Sequence, residues 1–93
     1  MTPIDEYEIN MTEDEFRDAF AEALKSLRLA KGLSQLALGM KMGLSDKTAA
    51  RTIQKWESRE RTPSAYNLLL LCKALDCTPG DLLPMRPQIT TAP

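Results

Sequence analysis

The stretch "ARTIQKWESRERTP", residues 50–63, sets Arg51, Gln54 and Lys55 around one isoleucine and one tryptophan. A helix turns about 100° per residue, so Ala49, Ile53 and Trp56 fall on one side of it. Lys47, Arg51, Gln54 and Ser58 fall on the opposite side, with Thr48 and Lys55 beside them. The outward groups are donors of distinct shapes. A guanidinium is a planar fork of N–H groups, a carboxamide sets a donor beside an acceptor, and an ammonium is a point charge. Such groups match base edges: arginine pairs with O6 and N7 of guanine, glutamine with N6 and N7 of adenine, and lysine serves a base or a phosphate. Most stripes of this kind are ordinary solvated surface. What this one means depends on the elements around it.

Other chemistries find little support. The chain has no histidine, the commonest general base, and no nucleophile paired with a base or glycine-rich phosphate loop. Cys72 and Cys77 lie five apart in apolar company, with no second pair or histidine to complete a zinc site. They read as small buried hydrophobes, reduced in a cytosol. Neither an enzyme, nor a metal, nor a cofactor is expected. No apolar run approaches the ~20 residues of a membrane span, and the basic-then-apolar layout of a signal peptide is absent, so a cytoplasmic location without membrane partners is expected. The net charge of −1 conceals an asymmetry: residues 1–22 carry −7 and residues 23–93 carry +6. A basic body suits a nucleic-acid partner.

The 93 residues suffice for one small core, built from Leu, Ala, Met and Ile because aromatics make up only 5%. Few β-branched residues and long stretches without Pro or Gly predict an all-α domain of five helices. Residues 1–11 read as a loose acidic arm, 12–83 as the domain, and 84–93 as a flexible tail rich in Pro and Thr. Helix 1 begins with the capping box Thr12…Glu15, presents Phe16, Phe20, Leu24 and Leu27 on one face, and stops at Gly32. Ser34 caps helix 2, which ends at Gly43. Ser45 is a candidate cap for the third element, which ends near Ser58. Ser64 caps helix 4, with Leu68, Leu71, Cys72 and Leu75 inward. "TPGD" opens a short helix 5 at Thr78. Leu36 and Met40 on helix 2, and Tyr66 and Leu70 on helix 4, are expected at the surface. They are ordinary scattered apolar residues or, for Tyr66, Leu70 and helix 5, a subunit interface.

Gly39 lies mid-helix, where glycine costs about 1 kcal/mol against alanine. Such a cost suggests a second helix crossing close by, with Leu38 and Met42 on the buried side. Gly43 supplies the turn and Leu44 returns to the core. Two short helices joined this way form a helix-turn-helix, whose second helix enters the DNA major groove.

With the motifs "LRLAKGLSQ" (27–35), "LALGMKMGLS" (36–45), "IQKWESRERTPS" (53–64) and "LLLLCKALDCTPGDLL" (68–83) in that order, the chain resembles the Cro/repressor-type helix-turn-helix proteins, the XRE family. The resemblance covers about residues 24–83. It implies a pair between Arg28 of helix 1 and Glu57 at the end of helix 3. It implies that Gln35 binds a backbone phosphate and that the loop after helix 3 does the same, which brings in Ser58, Arg59 and Arg61. The base-contacting candidates are Lys47, Thr48, Arg51, Gln54 and Lys55.

Two departures stand out. The spacing from Leu44 to Ile53 exceeds the family's usual one by about four residues, roughly one helical turn. Either helix 3 is extended at its N-terminus or "SDKTA" forms a longer loop. Arg59 stands where the family often has Gly, in a position where a left-handed backbone would strain it. The loop is expected to adapt instead, with Arg59 reaching phosphate. The resulting expectation is a dimeric transcriptional repressor, bacterial or phage, on double-stranded operator DNA with an inverted repeat. The alternative is an antitoxin that also binds a toxin protein, with the acidic arm or the tail as the place for such a partner. Structured RNA on the same basic face has no separate support.

Overall fold

The computed structural model describes residues 11–83 and, outside them, one backbone pairing of Tyr7–Glu8 with Arg86–Pro87. Five helices follow one another: α1 (Glu13–Ala30), α2 (Gln35–Lys41), α3 (Ala49–Glu57), α4 (Ala65–Leu75) and α5 (Pro79–Leu82). The two-residue strands β1 (Tyr7–Glu8) and β2 (Arg86–Pro87) are antiparallel, with Tyr7 opposite Pro87 and Glu8 opposite Arg86. The loose arm expected at 1–11 and the tail expected at 84–93 thus meet in their described parts. The remainder of both lies outside the described residues.

The starts of α1, α2, α4 and α5 follow the side chains that satisfy their first N–H groups. Thr12 Oγ1 accepts from the Glu15 N–H at 3.1 Å while the Glu15 carboxylate accepts from the Thr12 N–H at 2.8 Å. Ser34 Oγ accepts from the Ala37 N–H at 2.9 Å and Ser64 Oγ from the Asn67 N–H at 3.2 Å. At α5 the Asp81 carboxylate accepts from the Thr78 N–H at 2.9 Å.

The first four helices end alike. After each, one residue takes a left-handed backbone: Gly32 (φ +70°), Gly43 (φ +95°), Arg59 (φ +70°) and Asp76 (φ +53°). The next residue donates its N–H back across six residues, Leu33 to the Arg28 carbonyl, Leu44 to Gly39, Glu60 to Lys55 and Cys77 to Cys72. This double turn satisfies carbonyls left bare at a helix end and delivers an apolar residue to the core. Leu33, Leu44 and Cys77 are so delivered and pack against the buried cluster. Glu60 is the exception and remains exposed.

Phe20, Leu24, Leu38, Met42, Ile53, Trp56, Leu71, Cys72, Ala74, Leu75 and Leu82 form one cluster that joins all five helices. Ala49, Ile53 and Trp56 are the buried face of α3, as the wheel requires. Phe16, expected inward, stacks on Phe20 but is only half-buried, because it lines an open groove with Thr62, Pro63, Leu68 and Leu83. Leu36, Met40 and Tyr66 are exposed. Leu70, expected beside Tyr66, is half-buried, and Leu69 takes the surface place. The reason is a shallow groove between α2 and α4, where Leu70 and Ala74 lie beside Met40 and Met42.

Candidate nucleic-acid interface

The unit that carries the outward stripe is α2, its turn and α3. The crossing of the two helices is set by Gly39. A Cβ built there would lie 2.6 Å from the Ala49 Cβ, 2.6 Å from the Ala49 carbonyl oxygen and 2.7 Å from its carbon. Only glycine lets the first turn of α3 sit directly on the middle of α2. This close approach rotates α3 so that Ile53 and Trp56 enter the core and Arg51 and Gln54 leave it.

The additional residues before Ile53 neither lengthen α3 nor form a loose loop. They form one hydrogen-bonded turn. The Ser45 carbonyl accepts from the Thr48 N–H at 3.1 Å and from the Ala49 N–H at 2.8 Å. Ser45 therefore acts through its carbonyl and does not cap α3 with its side chain, which instead meets the Thr48 hydroxyl at 3.1 Å. Lys47 and Thr48 lie in this turn, just before α3, and both are exposed. Arg51 and Gln54 are exposed on the helix itself, and Lys55 is half-buried beside them.

Behind the stripe, the Arg28–Glu57 pair ties α1 to the end of α3. Arg28 Nε and Nη2 donate to the two carboxylate oxygens of Glu57 at 2.6 and 3.1 Å, and Nη1 donates to the Leu33 carbonyl at 2.8 Å. The side chains are 9% and 6% exposed, so this forked pair is shielded from water. Gln35 joins it: its Nε2 donates to Glu57 Oε1 at 3.1 Å. The carboxamide has a second N–H for another acceptor. The pair and the α2 start are thereby one network, a link that the sequence did not reveal. Its signal lies only in Gln35 being the first helical residue of α2, next to the Leu33 carbonyl that Arg28 also holds.

The loop after α3 differs more from expectation. Its backbone folds back on Lys55, whose carbonyl accepts from the Glu60 N–H at 3.0 Å, the Arg61 N–H at 3.2 Å and the Ser58 hydroxyl at 3.2 Å. Ser58 thus spends its one donor within the helix end, and a phosphate oxygen needs a donor. Arg59 does not escape the left-handed conformation, because the chain reversal after Ser58 requires it. Its guanidinium turns back onto α1, with Nε against the Asp18 carboxylate and Nη2 3.9 Å from Glu22. Arg61 is exposed. Asp18 and Glu22, four apart on α1, are thus neighbours of the site, a proximity that no sequence spacing encodes.

The HTH_3 family model, described as Helix-turn-helix, matches residues 24–82. The chain belongs to this helix-turn-helix family. Among relatives of this helix-turn-helix protein, Repressor protein C2 of Salmonella phage P22 is 39% identical over 62 residues, which make up 67% of this chain and 27% of that repressor. The chain therefore spans only about a quarter of that relative. The crystal structure of the P22 c2 repressor in complex with synthetic operator 9T matches with a TM-score of 0.61 at 37% identity, covering 70% of this chain and 92% of that one. The restriction-modification controller protein C.AhdI from Aeromonas hydrophila matches with a TM-score of 0.63 at 36% identity, covering 72% and 96%. No helix among the described residues of this helix-turn-helix protein is long and apolar enough to cross a membrane.

Proposed function

We propose that this chain is a sequence-specific DNA-binding regulator of transcription, a dimeric repressor that reads major-groove base edges with α3. The observation that carries the reading is the outward presentation of Arg51 and Gln54. The Gly39–Ala49 contact fixes the roll of α3, and Ile53 and Trp56 anchor its other side. Lys47 and Thr48, in the turn leading into α3, stand where the first base contacts of a recognition helix are made. Lys55, half-buried, serves the backbone or a base at the edge of the groove. The second N–H of Gln35 and the exposed Arg61 hold phosphates on either side.

A P22 repressor of the same family has been crystallised on operator DNA, which supports operator DNA as the ligand here. A single domain of this size reaches few bases. Useful specificity calls for two half-sites about one DNA turn, ~34 Å, apart, hence a homodimer on an inverted repeat. Selection of bound duplexes from a random pool tests the reading. An enriched inverted repeat supports it. A pool that never departs from random sequence, with binding still present, overturns base readout by α3.

A further inference from the structure

Arg59 combines two costs that a solvent-exposed loop residue has no need to bear. Its backbone is left-handed at φ +70°, where a side chain other than glycine's is strained. Its side chain is committed to α1, where Asp18 takes the Nε edge of the guanidinium and Glu22 stands 3.9 Å from Nη2. The Nε–Nη2 edge is one of the two forks with which arginine grips a carboxylate or a phosphate in bidentate fashion. In this structure that fork faces protein carboxylates. The residue stands in the loop directly after α3, between Ser58 and Arg61. The acids holding it are themselves at the surface, with side chains 59% and 72% exposed, and so is Arg59 at 47%. Ion pairs this exposed are weak and exchange readily for a competing anion.

We propose that Asp18 and Glu22 are a built-in phosphate mimic, a latch that competes with the nucleic-acid backbone for Arg59 and sets how tightly the domain holds DNA. The inference rests on the DNA-binding reading above. Closing the latch removes one cation from the loop. It also sets two carboxylates beside the place a phosphate would take. Opening it frees the guanidinium fork for a phosphate but leaves Asp18 and Glu22 without their partner. Indiscriminate binding to any polyanion is thereby reduced. Only a duplex held well enough by other contacts draws Arg59 across. This latch is distinct from the acidity of residues 1–22 as a whole, because it acts through one named arginine.

The test is a double-mutant cycle on binding to a short duplex of mixed sequence, followed by fluorescence anisotropy at low salt. The four proteins are the wild type, Asp18→Asn with Glu22→Gln, Arg59→Ala, and all three changes together. The altered side chains are exposed, and a thermal melt of each checks its fold. With Arg59 present, neutralising the two acids should tighten binding about threefold, the range expected of exposed pairs. With Ala at position 59 the gain should shrink to the general effect of removing negative charge, well under that factor. An equal gain in both backgrounds overturns the latch, since repulsion alone would then account for it. Weaker binding after neutralisation also overturns it, because the acids would then be orienting Arg59 toward DNA. A wild type that binds no duplex at all overturns the DNA-binding reading and the latch together. A wild type that binds but shows no coupling overturns the latch alone.

Discussion

Replacing Gly39 by alanine exchanges one hydrogen for a methyl group, and on propensity alone should stabilise α2 by about 1 kcal/mol. The structure predicts the reverse. The new Cβ would stand 2.6 Å from both the Ala49 Cβ and the Ala49 carbonyl oxygen, and 2.7 Å from the carbonyl carbon. Two of these three atoms are backbone and cannot rotate aside. Relief requires α3 to move off α2 by roughly 1 Å, since ordinary carbon contacts begin near 3.5 Å. Overpacking of this kind costs about 1–3 kcal/mol, and the rigid backbone places it at the upper end. After the propensity gain, a net loss of about 2 kcal/mol remains. A domain of this size shifts by about 4–8 °C per kcal/mol, so the melting temperature should fall by roughly 8–16 °C. Circular dichroism of Gly39→Ala gives the number. Gly80→Ala is the internal standard: its nearest contact is the Thr78 hydroxyl at 3.7 Å, and its melting point should hold or rise. Adding Ala49→Gly to Gly39→Ala should recover only part of the loss, because the carbonyl group of residue 49 stays in the way. A Gly39→Ala protein that melts at or above the wild type would refute the account of how α3 is seated.

Removing either member of the Arg28–Glu57 pair leaves a shielded charge without its partner and should cost about 3–5 kcal/mol by urea or thermal unfolding, whereas Arg28→Met with Glu57→Leu should recover most of it. Arg59→Gly should raise the melting temperature, since the left-handed strain it removes, about 1–2 kcal/mol, exceeds the exposed ion pairs it gives up. Burial, with Cys72 alongside, pushes the Cys77 thiol from 9.0 up to about 11. The folded state then keeps a proton that the unfolded chain gives up, so stability should fall between about pH 9 and pH 11, and Cys77→Ala should flatten that decline in a pH series of urea melts.

The starts of α1, α2, α4 and α5 were legible because each rests on side chains within three residues of their partners: Thr12 with Glu15, Ser34, Ser64, and Thr78 with Asp81; the start of α3 was not, since no side chain caps it. Gly39 was legible for a similar reason, as a local cost that needed a nearby cause. The Arg28–Glu57 pair came from resemblance, since nothing in the spacing of two residues 29 apart announces a contact. The form of the inserted turn is not legible in the sequence, because four residues restore the helical phase whether or not they continue the helix. Its form is decided by hydrogen bonds to the Ser45 carbonyl, which side-chain patterns do not encode. Where the Arg59 side chain rests was not legible, for a physical reason: a basic residue in a loop after α3 suggests phosphate, and its type does not encode the left-handed turn that sends the side chain back over α1, where Asp18 and Glu22 stand. The Ser58 hydroxyl is likewise drawn to the Lys55 carbonyl that the same reversal exposes, a contact its residue type does not announce.

In the proposed function, α3 reads bases through the face opposite Ile53 and Trp56, and Arg51 stands at the middle of that face. The direct measurement is the affinity of wild type and Arg51→Ala for the selected duplex and for each single-base variant of it, across a range of salt concentrations. The wild type should prefer one base pair, a guanine by the geometry of the guanidinium fork, by about 1–3 kcal/mol, and Arg51→Ala should lose this preference at that position while keeping the others. Arg61→Ala, a phosphate contact in this account, should instead weaken all duplexes about equally and reduce the salt slope by roughly one unit. If Arg51→Ala lowers the affinity for every variant by the same factor and keeps every base preference, Arg51 lies on the backbone and α3 does not enter the groove by this face.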